Sequence, residues 1–92
     1  YWVVKANVID GDKQGASGKL AEEVIAKFNG IFLVRGGEQI TKEGTEFMRN
    51  VVVEFPSYEI ALQAYESDDY QKALAVLDGG AERAYAIVEG YE

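Results

Sequence analysis

Apolar and polar side chains alternate along the first stretch of the chain. Trp2, Val4, Ala6 and Val8 fall on one face and Tyr1, Val3, Lys5, Asn7 and Ile9 on the other, which predicts a strand over Tyr1–Ile9. The pattern then becomes helical: Leu20, Val24, Ile25 and Phe28 form one stripe, so a helix is expected from about Ser17 or Gly18 to Phe28. Glu22 and Glu23 suit its early turns, Lys27 its last, and Asn29-Gly30 a left-handed stop. The glycine-rich, polar segment Asp10–Gly18 before it reads as a loop. Ile31–Arg35 is the second expected strand, ended by Gly36-Gly37, and residues 38–48 form a polar excursion. Arg49–Phe55 is the third strand, closed by Pro56, which cannot continue a central strand. Ser57 suits a cap for a helix with Tyr58, Ala61, Leu62 and Tyr65 on one stripe. Asp68, with Gln71 three residues on as in a capping box, starts another whose stripe is Tyr70, Ala73, Leu74 and Leu77. Asp78-Gly79-Gly80 ends it, and Ala84–Glu89 is the last strand.

The order β-α-β-β-α-(α)-β is the split βαβ arrangement of an α+β, ferredoxin-like fold. It predicts a four-stranded antiparallel sheet with all helices on one face and the first and third strands central. The 92 residues are expected to form one such domain over 1–92. Each strand is apolar on both sides, as in Val3 and Ile9 against Val4 and Val8, or Val52 against Val51 and Val53. A helix-free face of that composition calls for a cover. A second copy is the expected one, giving a homodimer through that face, a dimeric α+β barrel.

Composition removes more chemistry than it adds. The chain has no Cys and no His, which excludes disulfides, thiol nucleophiles, His-ligated haem, Cys/His zinc sites and Ser-His-Asp triads. The formal charge is −7. Residues 1–53 are balanced, with seven basic and seven acidic side chains; residues 54–92 hold only Lys72 and Arg83 against nine acids. That surface repels phosphate backbones and anionic headgroups, so neither nucleic acid nor membrane is an expected partner. No apolar run approaches the roughly 20 residues of a membrane-spanning helix. With no basic-plus-apolar leader ahead of the first strand, a soluble, cytoplasmic protein without metal, haem or other cofactor is expected.

Two motifs tempt and fail. Gly15-Ala-Ser-Gly-Lys-Leu20 lies where a phosphate-binding loop belongs, but that chemistry needs Gly where Lys13 stands and Ser or Thr where Leu20 stands. Asp10-Gly-Asp12-Lys-Gln14-Gly15 resembles half a calcium loop, yet Ala21 occupies the position of the bidentate Glu.

Four blocks in order carry a family resemblance: Gly30-Ile-Phe-Leu-Val-Arg-Gly-Gly37, Arg49-Asn-Val-Val-Val-Glu-Phe-Pro-Ser57, Tyr65-Glu-Ser-Asp-Asp-Tyr-Gln71 and Ile87-Val-Glu-Gly90. Together they resemble domain-of-unknown-function family 1330, over most of residues 1–90. The resemblance implies a ferredoxin-like dimeric α+β barrel whose wider superfamily includes cofactor-free monooxygenases, lactone isomerases and haem enzymes. The family itself has no settled activity. Members usually carry an Asp and tyrosines leading into the first helix, where this chain is glycine-rich from Gly11 to Gly18. The Ser-Pro-Glu-Tyr-Gln pattern usual before the last helix stands here as Ser67-Asp68-Asp69-Tyr70-Gln71, which keeps Ser67 and Tyr70.

Two functions stay open: a binder or transformer of a small carboxylate-bearing molecule, and a non-catalytic dimeric scaffold. The ligand-site candidates are Arg35, Glu54, Tyr65, Ser67 and Tyr70. Arg35 and Glu54 end two strands expected to pair, which suggests a guanidinium holding a carboxylate with Glu54 orienting it or acting as base. The bland alternative for that pair is a cross-strand salt bridge. Tyr65, Ser67 and Tyr70 lie at the joint between two helices, where the phenols suit hydrogen-bond donation and Ser67 the rim of a pocket. A cavity holding Arg and Tyr side chains would favour the binder, and a fully packed interior the scaffold.

Overall fold

The computed structural model describes residues 1–91. The elements follow the expected order: β1 (Trp2–Val8), α1 (Gly11–Lys27), β2 (Ile31–Arg35), β3 (Arg49–Glu54), α2 (Tyr58–Glu66), α3 (Asp68–Leu77) and β4 (Ala81–Ile87). The sheet order is β2-β3-β1-β4 with every neighbouring pair antiparallel, so β1 and β3 are central and the fold is ferredoxin-like α+β. None of the described helices is long and apolar enough to cross a membrane.

Register arranges the helix-facing side of the sheet in rows. The first is Phe32–Val53–Trp2–Ile87, the second Arg35–Val51–Val4–Tyr85, the third Arg49–Ala6–Arg83. A bulge between Phe32 and Val34 brings Arg35 onto this face, because one extra residue shifts the alternation by one position. The first row packs hardest. Val53 is fully buried, and the Trp2 ring lies 4.8 Å from those of Phe55 and Tyr70. The indole Nε1 donates to the Ala61 carbonyl of α2 at 2.9 Å, so the largest core side chain leaves no polar atom unpaired.

Three boundaries differ from expectation, each for a physical reason. The segment from Gly11 to Gly18 is the first half of α1 rather than a loop. Asp10 caps it by accepting from the backbone N–H groups of Asp12 and Lys13, and Ser17 donates to the Ala73 carbonyl of α3 at 2.8 Å. Tertiary contact thus overrides glycine's low helix propensity. The cap of α3 is Ser67, whose hydroxyl accepts from the Tyr70 N–H, while Gln71 reaches back to the Tyr65 carbonyl; Asp68 does not cap. Strand β4 spans Ala81–Ile87 rather than Ala84–Glu89, because Val8 of β1 is long enough to pair with Ala81. The expected α2 stripe is also adjusted: Ala61 and Ala64 are fully buried, and Tyr58 is exposed.

Asn29, with φ of 61°, reverses the chain after α1 as expected. Gly30 then passes so close to the core that a Cβ there would lie 2.7 Å from the Ile25 Cγ2 and 2.8 Å from the Phe55 ring. No other residue fits that crossing.

The opposite sheet face carries Val3, Val52 and Ile31, and no described helix covers it. Ile31, Val34 and Val88 are 59%, 40% and 45% exposed there and along its edge. Residues 38–48 are tied against one end of this face. The Met48 N–H donates to the Asn7 Oδ1 at 2.8 Å and the Asn50 amide to the Gln39 Oε1 at 2.6 Å.

Candidate functional site

Against the Trp2 row, with Trp2, Phe32 and Val53 in its lining, the packing between sheet and helices opens into a cavity of about 120 Å³. Its floor is the Val4 and Ala6 part of the sheet, and its walls come from α1 and α3 through Gln14, Ser17, Gly18 and Tyr70. Two small residues make the room. Ala6 sits between two long side chains in its row. Gly18 presents no side chain to the cavity it lines, and a Cβ there would meet only the Gln14 Nε2, at 3.9 Å. No steric demand keeps a glycine in mid-helix at this position, where it costs about 1 kcal/mol relative to Ala; what its absence of side chain provides is space.

The charge around this space is one-sided. Arg35, Arg49 and Arg83 line it, and no carboxylate does. Arg35 is the one of the three with an acid partner among the described residues: its guanidinium lies 2.8 Å from Glu22 of α1 and 4.4 Å above the Phe32 ring. The hydrogen bond and charge of Arg35 hold the Glu22 carboxyl below its ordinary range. Arg83 lies over the Tyr85 ring, 5.1 Å from its centre. The phenols form the polar end. Tyr70 donates to the Tyr85 oxygen at 3.1 Å, and Tyr65 packs 5.2 Å from both rings. Burial, with the neighbouring Tyr70 phenol, pushes the Tyr85 phenol far above its usual range, so it stays protonated.

The five residues singled out from sequence divide. Arg35 and Tyr70 line this one cavity, and Tyr65 supports Tyr70 from behind without lining it. Ser67 accepts from the Tyr70 N–H and donates to the Ala64 carbonyl at 2.8 Å, so its hydroxyl serves the α2–α3 joint. Glu54 is elsewhere. Antiparallel pairing sets it opposite Ile31, at the far end of the β2–β3 pair from Arg35, which pairs with Val51. It accepts from the Tyr1 phenol at 3.0 Å, and that hydrogen bond raises the phenol's pKa. Neither an Arg35–Glu54 salt bridge nor a shared site for the two exists, because the C-terminal ends of antiparallel neighbours point opposite ways.

Arg49, Arg83 and Tyr85 went unnoticed in the sequence, although a signal for them was present. Arg49 is in phase with Val51 and Val53, and Arg83 and Tyr85 with Ile87, so each polar group stands where the period-2 pattern demands a core residue.

A ferredoxin-like sheet backed by helices, with a small cavity lined by arginines and phenols between the two layers, defines a class of α+β proteins. Within that class the chain belongs to the family described as domain of unknown function (DUF1330), whose model matches residues 1–91. No curated protein matches it.

Proposed function

We propose that this is a homodimeric α+β barrel protein that binds a short organic carboxylate in the cavity between sheet and helices, without metal or haem. One observation carries the reading. In a chain of formal charge −7, every ionisable side chain lining the cavity is an arginine or a tyrosine. Two like charges flanking Ala6 repel each other, and an anion between them relieves that repulsion through charge-assisted hydrogen bonds. The volume suits a molecule well below drug size. With the Tyr85 phenol held neutral and no carboxylate at hand, the lining is equipped to bind and polarise an oxygen rather than to abstract a proton.

The test is a thermal-shift panel of metabolite-sized carboxylates and matched neutral amides, with native mass spectrometry for any co-purified ligand. Short carboxylates should raise the melting temperature and amides should not; ligand at 100 times Kd adds about 2.7 kcal/mol. An Arg49→Gln/Arg83→Gln variant that responds like the wild type would overturn the reading.

The second copy rests on the apolar, helix-free face bearing Val3, Val52 and Ile31. Val52→Asp should convert a dimer into monomer, or unfold it, in light scattering at micromolar concentration; a wild type that is monomeric there would remove the dimer. The scaffold alternative draws support from Ser67, Glu54 and Arg35, which all spend their polar groups on protein partners. It predicts no ligand response at all.

A further inference from the structure

The Tyr70–Tyr85 pair has a hydrogen-bonding surplus. Two phenols carry two O–H protons, and a single hydrogen bond between them, at 3.1 Å, uses one. Neither oxygen has another protein partner among the described hydrogen bonds, so the second proton is left for whatever lies in the cavity that both rings line. Tyr70 is 3% exposed and Tyr85 half-buried, so the free proton, on Tyr85, stands at the edge of the interior. A buried donor left without an acceptor is penalised, and a ligand that supplies one gains accordingly.

The register says where that acceptor belongs. Arg49 and Arg83 are the cross-strand neighbours of Ala6, while Tyr85 is the neighbour of Val4, one repeat along the same face. Two residues along a strand span about 6.6–6.8 Å. Arg83 folds back over the Tyr85 ring, 5.1 Å from its centre, so its charge stands beside the phenol. Arg49 belongs to the Ala6 row and Tyr85 to the Val4 row, so a carboxylate on Arg49 and an oxygen at the phenol pair stand about one such repeat apart.

We propose that the cavity selects carboxylates bearing a second acceptor oxygen, a keto or ester carbonyl three to four carbons from the acid, which takes the spare proton of the Tyr70–Tyr85 pair. The inference rests on the anion-binding reading above and names the ligand class it leaves open. Keto acids and the half-esters of dicarboxylic acids share the chemistry, and the keto acids are the simpler probes.

The experiment compares 4-oxopentanoate with pentanoate, and 5-oxohexanoate with hexanoate, by calorimetric titration of the wild type and of Tyr70→Phe/Tyr85→Phe. The double substitution is chosen because either single one leaves a phenol whose proton is free. Removing both partners of a hydrogen bond while keeping shape is close to neutral for stability, and a thermal melt confirms the fold. At least one keto acid should bind the wild type about tenfold tighter than its oxygen-free partner. That ratio should fall to near one in the double variant. Equal binding of keto and plain acids to the wild type, or a preference surviving the double substitution, would overturn this inference and leave the anion site standing. If no acid of the set binds the wild type, the arginine-lined site and this inference fall together.

Discussion

At one end of the space between sheet and helices, Trp2 meets Phe55 and Tyr70 at 4.8 Å and hydrogen-bonds the α2 backbone. At the other end, two residues along the same strand face and beyond, Val4 and Ala6 lie below a cavity flanked by Arg35, Arg49 and Arg83. Both ends are lined by the same strands and both face helices. They differ in side-chain volume and charge, and that difference separates two tasks. The Trp2 end buries apolar area and makes the fold stable. The Ala6 end gives up packing, sets like charges near each other and places glycine in a helix, all of which weaken a fold taken alone.

The sharpest way to separate the ends is to remove the anchor of the first. Trp2→Ala deletes a ring that is 2% exposed and packed on four aromatic neighbours. It should lower stability by about 3–5 kcal/mol in denaturant titration. A loss under about 1 kcal/mol would place the main core elsewhere.

The phenols at the boundary between the two ends give a pH signature. Tyr85 has its folded pKa raised above the unfolded value of 10.0, so the folded state keeps a proton that the unfolded state releases. Its contribution is fully present below pH 10 and is lost as pH rises above it, by up to about 1.4 kcal/mol per unit. Tyr85→Phe should flatten the alkaline limb of the stability profile measured between pH 9 and 11. An unchanged limb would mean that the phenol is not held in the interior.

At the open end the expected sign reverses. Gly18→Ala should raise apo stability by about 0.5–1 kcal/mol while weakening binding of the longer acids, because the methyl enters the cavity. A destabilised variant would show that the helix wall has no room to spare. Smallest of all is Glu22→Gln, which breaks an ion pair whose side chains are 45% and 52% exposed. Stability should barely change, and what the pair does contribute is lost as acid protonates Glu22, below the usual carboxylate range.

These two ends were not equally legible in the amino-acid pattern. The stripes Val24–Ile25 and Tyr70–Ala73–Leu77, the Val51–Val53 alternation and the Asn29 reversal are local signals, and each is where the pattern puts it. The beginning of α1 was hidden because its glycines look like loop, and the contacts that hold it helical, Ser17 to Ala73 and α1 against α3, join residues 56 apart. Glu54 lies away from Arg35 for a simpler reason. Arg35 and Glu54 both end strands, and in an antiparallel pair two such ends lie apart. Arg83 and Tyr85 were readable as polar groups in core phase on β4, but their meeting with Arg49 and Arg35 depends on the β2-β3-β1-β4 order and the bulge before Val34.

The claim that the Ala6 end holds an organic anion is tested most directly by following the arginine Nε–Hε resonances by NMR during titration with pentanoate and, separately, pentanamide. The account predicts saturable shifts of Arg49 and Arg83 with the acid and none with the amide. Resonances that stay in place with pentanoate, or that move equally with both compounds, would contradict it.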